Sequence, residues 1–364
     1  MVTQTATWDY RDRHTDDFGR TYFRRFGDGV VSSIGLGTYL GDATDAVDDA
    51  YHDAIVEGVE SGISVLDTAR NYRAQRSERV VGRTLADADV DREAILVASK
   101  CGFVPFDGER PDDPGRYVRE RFVDDGPLAR EDLVAGQHAM TPAFVHDQLD
   151  RSLDLLDLDV LDLYYLHNPE VQLAEHDRET VYDVIEDAFV AMEERVATGD
   201  LRHYGVATWE CFRVPRDHPK YLSLAEIVSR ARSAADRVGN AATSFRAVQL
   251  PFNVHMAGAF TEKSQSSADG DVSVLELANT AGIDVFTSAS LHQGSLADGD
   301  AIPDAVDAKL DGDTPAQRAI NFARSAPGVT SALVGASSTA HVADDVAAGT
   351  FDPLGADAFD ATFE

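Results

Sequence analysis

The sequence is poor in cysteine: two in 364 residues, Cys101 and Cys211. Two thiols make neither a disulfide framework nor a zinc ribbon. A reducing cytoplasm is the simple expectation, with Cys101, at the end of an apolar run, as a buried structural thiol. No stretch of 18 apolar residues is present, so no membrane-spanning helix is expected. Met1 to Arg20 is polar and has no apolar signal core, which predicts an unsecreted chain with a polar tail over 1–20. Lysine is scarce, with four residues (Lys100, Lys220, Lys263, Lys309), so nearly all positive charge is arginine. Positive charge as a whole is also short: 32 Lys and Arg against 64 Asp and Glu give a net charge of −32. Such a chain repels phosphate backbones and anionic membrane surfaces, which excludes nucleic acid and membrane as partners. The acid is spread along the chain rather than held in one tail, a pattern suited to a salt-rich cytoplasm where screening relieves self-repulsion.

What is present is alternation. Tyr22 to Phe26 and Val30 to Ser33 flank Gly27-Asp28-Gly29 and read as a hairpin. Ser33 to Thr38 then reads as a strand, Asp45 to Ser61 as a helix stopped at Gly62, and Ile63 to Asp67 as a strand. Ser77 to Ala86 reads as a helix and Ala94 to Lys100 as a strand. From Gly102 to Met140 the pattern breaks into a Pro-, Gly-, Asp- and Arg-rich stretch, long enough to be a functional lid or a disordered loop. The alternation resumes with a helix from Pro142 to Leu156, capped by Thr141, and a strand from Leu161 to His167. Further strands follow at Tyr204–Ala207, Ala247–Pro251, Ile283–Ser288 and Ser331–Val334, with helices between them. Eight strand–helix units predict a (β/α)8 TIM barrel with an N-terminal β-hairpin and a long loop after the third barrel strand. An open Rossmann sheet would need G-x-G-x-x-G, and Gly35-Leu36-Gly37 supplies only half of it. The barrel is expected over 21–350, with the 102–140 insert over the site and a C-terminal tail over 351–364.

Barrel chemistry sits at the C-terminal ends of the strands. Asp67, Lys100 and His167 end the second, third and fourth barrel strands, and Tyr72 follows Asp67 on the next loop. Taken singly, Asp67 could cap a turn, Tyr72 rest on the rim and His167 be structural. Lys100 is harder to explain without function, because a desolvated ammonium needs a carboxylate, and Asp67 is the natural partner. Together the four make a candidate site. A phenol with a pKa of about 10 is a poor acid, and a nearby ammonium lowers that value. Lys100 is therefore expected to tune Tyr72, with Asp67 holding Lys100 and His167 donating to a substrate carbonyl. Such a phenol suits protonation of an alkoxide during hydride delivery. The hydride must come from a nicotinamide or flavin.

The segments SSIGLGT (Ser32 to Thr38), LDTARNY (Leu66 to Tyr72), QRSERVVGRTL (Gln75 to Leu85), ILVASKCGF (Ile95 to Phe103) and LDLYYLHNPE (Leu161 to Glu170) resemble the aldo-keto reductase superfamily, over about residues 22–348. The resemblance implies a catalytic tetrad of Asp67, Tyr72, Lys100 and His167, with the tyrosine as general acid. It implies NADP(H) or NAD(H) as cofactor and a small carbonyl or alcohol as substrate. It places cofactor contacts at Thr38, Thr208, Gln249, Ser288, Leu291, Gly294, Gly335, Ser337, Ser338 and Asp345, and no metal.

Departures from the family pattern accompany the matches. The usual Ser-Asn pair after the fifth strand is Ala207-Thr208, and the aromatic that stacks on nicotinamide is Ser288. The Lys or Arg for a 2′-phosphate is missing near Ser337, Ser338 and Thr339, and the Asn near the adenine is Asp345. Losing a charge-assisted bond weakens preference for NADPH over NADH. In the insert, Phe103, Phe106, Tyr117 and Phe122 offer an apolar wall and Arg110, Arg116 and Arg119 an anion catch; Trp209 is a further pocket candidate. Two alternatives stand beside the reductase reading. One is a nucleotide-binding regulatory barrel without turnover. The other is a Schiff-base lysine at Lys100, which Asp67 opposes.

Overall fold

The computed structural model of the chain describes residues 1–268, 270–298, 301–335 and 337–363. Helix α1 (Gln4–Arg13) comes first, then a hairpin of β1 (Phe23–Phe26) and β2 (Gly29–Ser32). The barrel strands are β3 (Ile34–Gly37), β4 (Val65–Asp67), β5 (Leu96–Cys101), β6 (Leu161–His167), β7 (Leu201–Ala207) and β8 (Phe245–Pro251). A small hairpin, β9 (Gln265–Ser267) and β10 (Gly270–Val272), precedes the last two barrel strands, β11 (Asp284–Ser288) and β12 (Val329–Gly335). The eight close in the order β3-β4-β5-β6-β7-β8-β11-β12, every pairing parallel.

The outer helices are α2 (Asp45–Glu60), α3 (Arg76–Asp87), the insert helix α4 (Pro114–Val118), α5 (Pro142–Leu156), α6 (Arg178–Thr198), α7 (Leu224–Val238), α8 (Gly258–Thr261), α9 (Val274–Ala281), α10 (Asp304–Asp307), α11 (Pro315–Ser325), α12 (Thr339–Ala348) and α13 (Ala356–Asp360). Their ends follow local chemistry. Thr44, Thr141, Asp177 and Ser223 cap N-termini through side-chain oxygens, and Gly199, Gly239 and Gly282 close C-termini at positive φ. No helix among the described residues is long and apolar enough to cross a membrane.

The strands bury a residue on each face, so they read as continuous apolar runs. One cluster lies inside the barrel (Val65, Leu96, Ala98, Leu163, Tyr165, Ala247, Phe286 and Leu333 among others), joined at the strand N-termini by Val2, Phe26 and Val31. The outward faces pack on the helix ring in a second, larger cluster.

The polar segment over 1–20 is not a free tail. The Val2 amide donates to the buried Asp162 carboxylate at 2.6 Å, Thr3 N donates to Glu93 O at 3.0 Å, and Tyr10 Oη donates to Val59 O at 2.6 Å. Asp162 also accepts from Arg92 (2.8 Å) and Val97 N (3.0 Å). The C-terminal segment is likewise docked, with Phe359 buried against Phe322 and Phe252.

The insert has a core of its own. Val104, Val118, Phe122, Leu128 and Ala139 are buried with Phe144 of α5, and Phe106, Tyr117 and Leu133 pack against them. Backbone bonds close its base, Val104 N to Gln137 O at 2.8 Å and Ala139 N to Gly102 O at 2.8 Å. A compact insert is what its apolar content can support, and it replaces the disordered-loop alternative.

Candidate active site

Asp67, Lys100 and His167 are the terminal or penultimate residues of three neighbouring strands, so closure of the barrel brings them to one patch. Lys100 is fully buried and donates three ways: to Asp67 Oδ2 (2.5 Å), Thr68 O (2.8 Å) and Tyr72 Oη (3.2 Å). An ammonium has donors only, so Tyr72 Oη accepts from it and keeps its own proton free for another partner. The His167 ring meets the Tyr72 ring edge-on, centroids 5.8 Å apart, and Tyr39 meets Tyr72 from another side at 5.0 Å.

The backbone after Tyr72 is unusual. Arg73, Ala74 and Gln75 hold consecutive positive φ angles of 47°, 53° and 69°. Left-handed geometry costs a non-glycine residue about 1–2 kcal/mol, so the surroundings must enforce it. Arg73 binds Asp42 O and the Asp48 carboxylate. Gly108 N donates to Ala74 O at 2.9 Å and Gln75 Nε2 to Phe106 O at 2.7 Å, both tying this turn to the insert.

Charge is settled by burial and partners. For Lys100, burial works against the ammonium, but Asp67 and then Tyr72 outweigh it, so its pKa stands above the ordinary value. For Tyr72, burial is the strongest influence and raises the pKa; Lys100 lowers it and Asp67 raises it, and the net is upward. This corrects the expectation that Lys100 brings the phenol below its normal range: Lys100 offsets burial without reversing it. Burial, Lys100 and His138 drive His167 well below the usual histidine range, so it is a neutral imidazole. Its Nδ1 is buried without a partner, which leaves the Nε2 edge for a ligand.

Gln249, expected among the cofactor contacts, donates from Nε2 to Asp67 Oδ1 at 2.7 Å. Asp67 therefore has one oxygen on Lys100 and the other on Gln249. Sequence reasoning missed this prop, because β8 and β4 are distant both in the chain and around the barrel.

Asp67, Tyr72, His167 and Gln249 line a cleft of about 840 Å³ at the C-terminal strand ends, with Lys100 buried behind them. Among the cofactor candidates, Thr38, Thr208, Gln249, Ser288, Leu291, Gly294, Gly335 and Ser337 line it. Ser338 and Asp345 do not. Ser338 caps α12, its Oγ accepting from His341 N, and Asp345 is buried near enough to Tyr22 to raise that phenol. His341, one helical turn on, lines the cleft instead. Thr208 Oγ1 is 3.3 Å from Gln249 O and donates to it. Ser290 Oγ, also in the lining, is buried without a partner.

Of the insert residues, Phe103, Arg110 and Gln137 reach the cleft, whereas Phe106, Tyr117 and Phe122 face the insert's own core. Arg116 and Arg119 pair with Glu120 and Asp124. Trp209 lines the cleft and is 45% exposed; its amide and that of Glu210 donate to the buried Glu170 Oε1 at 2.6 and 2.8 Å.

The sequence model of the aldo/keto reductase family matches residues 33–362. The chain belongs to that family. Among curated relatives, the NADH-specific methylglyoxal reductase of Escherichia coli (strain K12) is 26% identical over 213 residues, 57% of each chain. The 2,5-diketo-D-gluconic acid reductase B of a Corynebacterium species is 34% identical over 139 residues, 38% of this chain and 35% of that one. The chain thus spans 57% of the first relative's length and less of the second's. Among solved structures, an aldo-keto reductase from Klebsiella pneumoniae in complex with NADPH superposes with a TM-score of 0.61 over 93% of both chains at 20% identity. The aldo-keto reductase AKR11C1 from Bacillus halodurans (holo form) gives 0.64 over 94% of this chain and 95% of its own at 21%. At such identities the superpositions show the barrel fold alone, and the family match carries the assignment.

Proposed function

We propose that the protein is an oxidoreductase that reduces a carbonyl compound, or oxidises the matching alcohol, with Tyr72 as the general acid and base. The observation that carries this reading is the contact of Lys100 Nζ with both Tyr72 Oη (3.2 Å) and Asp67 Oδ2 (2.5 Å) in a buried floor. A proton-relay trio of this kind has no use in a protein that only binds.

The cleft fits a nicotinamide dinucleotide, NADP(H) or NAD(H). Its volume of about 840 Å³ is large enough, and the unpartnered Ser290 hydroxyl supplies a polar group awaiting a ligand. Thr38, Thr208, Gln249, Ser288, Leu291, Gly294, Gly335 and Ser337 would hold it. Bound there, it would supply or accept the hydride. The chain's own residues do the rest. Tyr72 gives its proton to the carbonyl oxygen as negative charge builds there, which its raised pKa ensures it still carries at neutral pH. Lys100 stabilises the phenolate that remains, and Asp67, steadied by Gln249, keeps Lys100 charged. Neutral His167 orients the carbonyl from its Nε2 edge. The insert, Trp209 and Tyr39 exclude water. The relatives' names point both ways on the cofactor: one is NADH-specific, and one neighbour was solved with NADPH. The lining offers His341 rather than a fixed cation near Ser337, which favours modest discrimination.

Titration of NADPH and NADH into the folded protein in molar KCl, with aldehyde turnover by wild type and Tyr72→Phe, tests the reading. Binding with turnover that Tyr72→Phe removes is the expected result. Binding without turnover would favour the regulatory barrel. Binding of neither nucleotide would overturn both.

A further inference from the structure

We propose that the substrate carries an anionic group, a carboxylate, and that Arg110 receives it. The inference rests on the reductase reading and deepens it.

The cleft is the exception in an acidic molecule. The chain holds 64 acidic residues, yet among the described residues that line the cleft Asp67 is the one carboxylate, and Lys100 neutralises it. Arg110 is the one guanidinium in that lining. No carboxylate of the described residues lies within ion-pair distance of it, whereas its neighbours Arg79, Arg116 and Arg119 are paired with Asp107, Glu120 and Asp124. With acid so plentiful, an unpaired guanidinium at a cleft wall leaves a fork of donors for a ligand oxyanion.

Position separates this cation from the dinucleotide. Arg110 follows β5. In the closed order of eight strands β5 stands opposite β11, which leads into Ser288, Ser290, Leu291 and Gly294. The phosphates would lie on that far side. The limb that bears Arg110 is also held in place, by Gly108 N on Ala74 O (2.9 Å) and by Gln75 Nε2 on Phe106 O (2.7 Å), with the Arg110 guanidinium over the Phe106 ring at 5.8 Å. Both tethers run to the turn that follows Tyr72. The anion site and the acid are therefore fixed relative to each other, and a carbonyl and a carboxylate on one small molecule can be read together. Phe103 and Trp209 add aromatic surface to the cleft lining.

The test compares 4-formylbenzoate with its methyl ester at saturating dinucleotide, for wild type, Arg110→Gln, Arg110→Lys and, as control, Arg116→Gln. The para substituent's electronic effect is common to all enzymes, so the quantity read is the change in the ratio of kcat/KM values. A partly exposed guanidinium–carboxylate pair predicts that Arg110→Gln lowers the carboxylate-to-ester ratio about fivefold, chiefly through KM. Arg110→Lys should keep part of the ratio and Arg116→Gln all of it. A ratio unmoved by Arg110→Gln overturns the inference. So does an Arg110→Gln enzyme that loses dinucleotide affinity by a similar factor, because the guanidinium would then serve a cofactor phosphate. Turnover of the ester without any dependence on Arg110 leaves the reductase standing. Turnover of neither aldehyde sinks both.

Discussion

His138, at the end of the insert, places its Nε2 2.8 Å from the backbone carbonyl oxygen of His167. Its Nδ1 faces Gln172 Nε2, also at 2.8 Å, so Nε2 carries the proton and the ring is neutral. Gly102 passes so close, at φ +145°, that a Cβ there would sit 2.7 Å from the same carbonyl. The Phe103 ring spans the two histidine rings, 5.0 Å from one and 5.1 Å from the other. The insert is thus bolted to the strand that carries His167.

A pH dependence of stability follows from that bolt. Burial lowers the His138 pKa to about 4. Between that value and the unfolded value of about 6.5 the unfolded chain binds more protons, so stability rises with pH across this window and is lost as pH falls through it. From pH 7.5 to pH 5 this one group should remove about 2 kcal/mol. In denaturant unfolding at the two pH values, His138→Gln should show a pH difference smaller by about that amount. An identical difference in both proteins would refute the assignment.

Asp67→Asn removes the strongest influence that keeps Lys100 charged against burial. The Lys100 pKa then falls, and the alkaline limb of kcat/KM should move to lower pH by at least about one unit, with kcat down about a hundredfold. A pH profile recorded from 6 to 10.5 reads both. A variant with reduced kcat but an unmoved limb would show that Asp67 acts only through packing.

Glu170 holds the Trp209–Glu210 turn through two amide bonds to one buried oxygen. Glu170→Ala should free Trp209 and raise KM for the carbonyl severalfold, with a loss of about 2 kcal/mol in stability from the orphaned amides. Trp8, the second tryptophan, sits on α1 between Arg11 and Arg25, away from the cleft. Quenching of intrinsic fluorescence by dinucleotide should therefore disappear in Trp209→Phe and persist in Trp8→Phe.

Arg230 of α7 meets four carboxylates: Glu179 (2.6 Å), Asp183 (2.7 Å), Glu186 (3.2 Å) and Glu226 (2.9 Å). Three of these lie on α6, so the guanidinium ties α7 to the acidic helix α6. Arg230→Ala should cost about 1–2 kcal/mol at low salt, and molar KCl should recover most of it, because the Debye length there is only about 3 Å. A deficit independent of KCl would point to lost packing instead.

The barrel, and the gathering of Asp67, Tyr72, Lys100 and His167 at one patch, were legible because the relevant signals are local. Strand ends at Asp67, Lys100 and His167 can be read from apolar runs of five to seven residues, and Thr141-Pro142 marks a helix start wherever it occurs. The prop from Gln249 to Asp67 was not legible, because no local pattern encodes which residues face each other inside a closed barrel. The N-terminal helix was missed for another reason. QTATWDYRDR has no apolar stripe, and just three of its residues, Ala6, Thr7 and Tyr10, are buried. Its docking depends on polar bonds to distant groups. The raised Tyr72 pKa escaped because charge partners can be read from a motif while the depth of burial cannot.

The bond between the Val2 amide and Asp162 joins residues 160 positions apart in the chain. A chain made from its N-terminus exposes α1 long before β6 exists, and a polar helix of ten residues is marginal alone. Tyr10 and Thr3 can meet Val59 and Glu93 earlier, but the Val2 amide must wait for its acceptor until β6 has been synthesised. Val2 then joins Phe26 and Val31 against the interior cluster at the strand N-termini, as a late step of assembly.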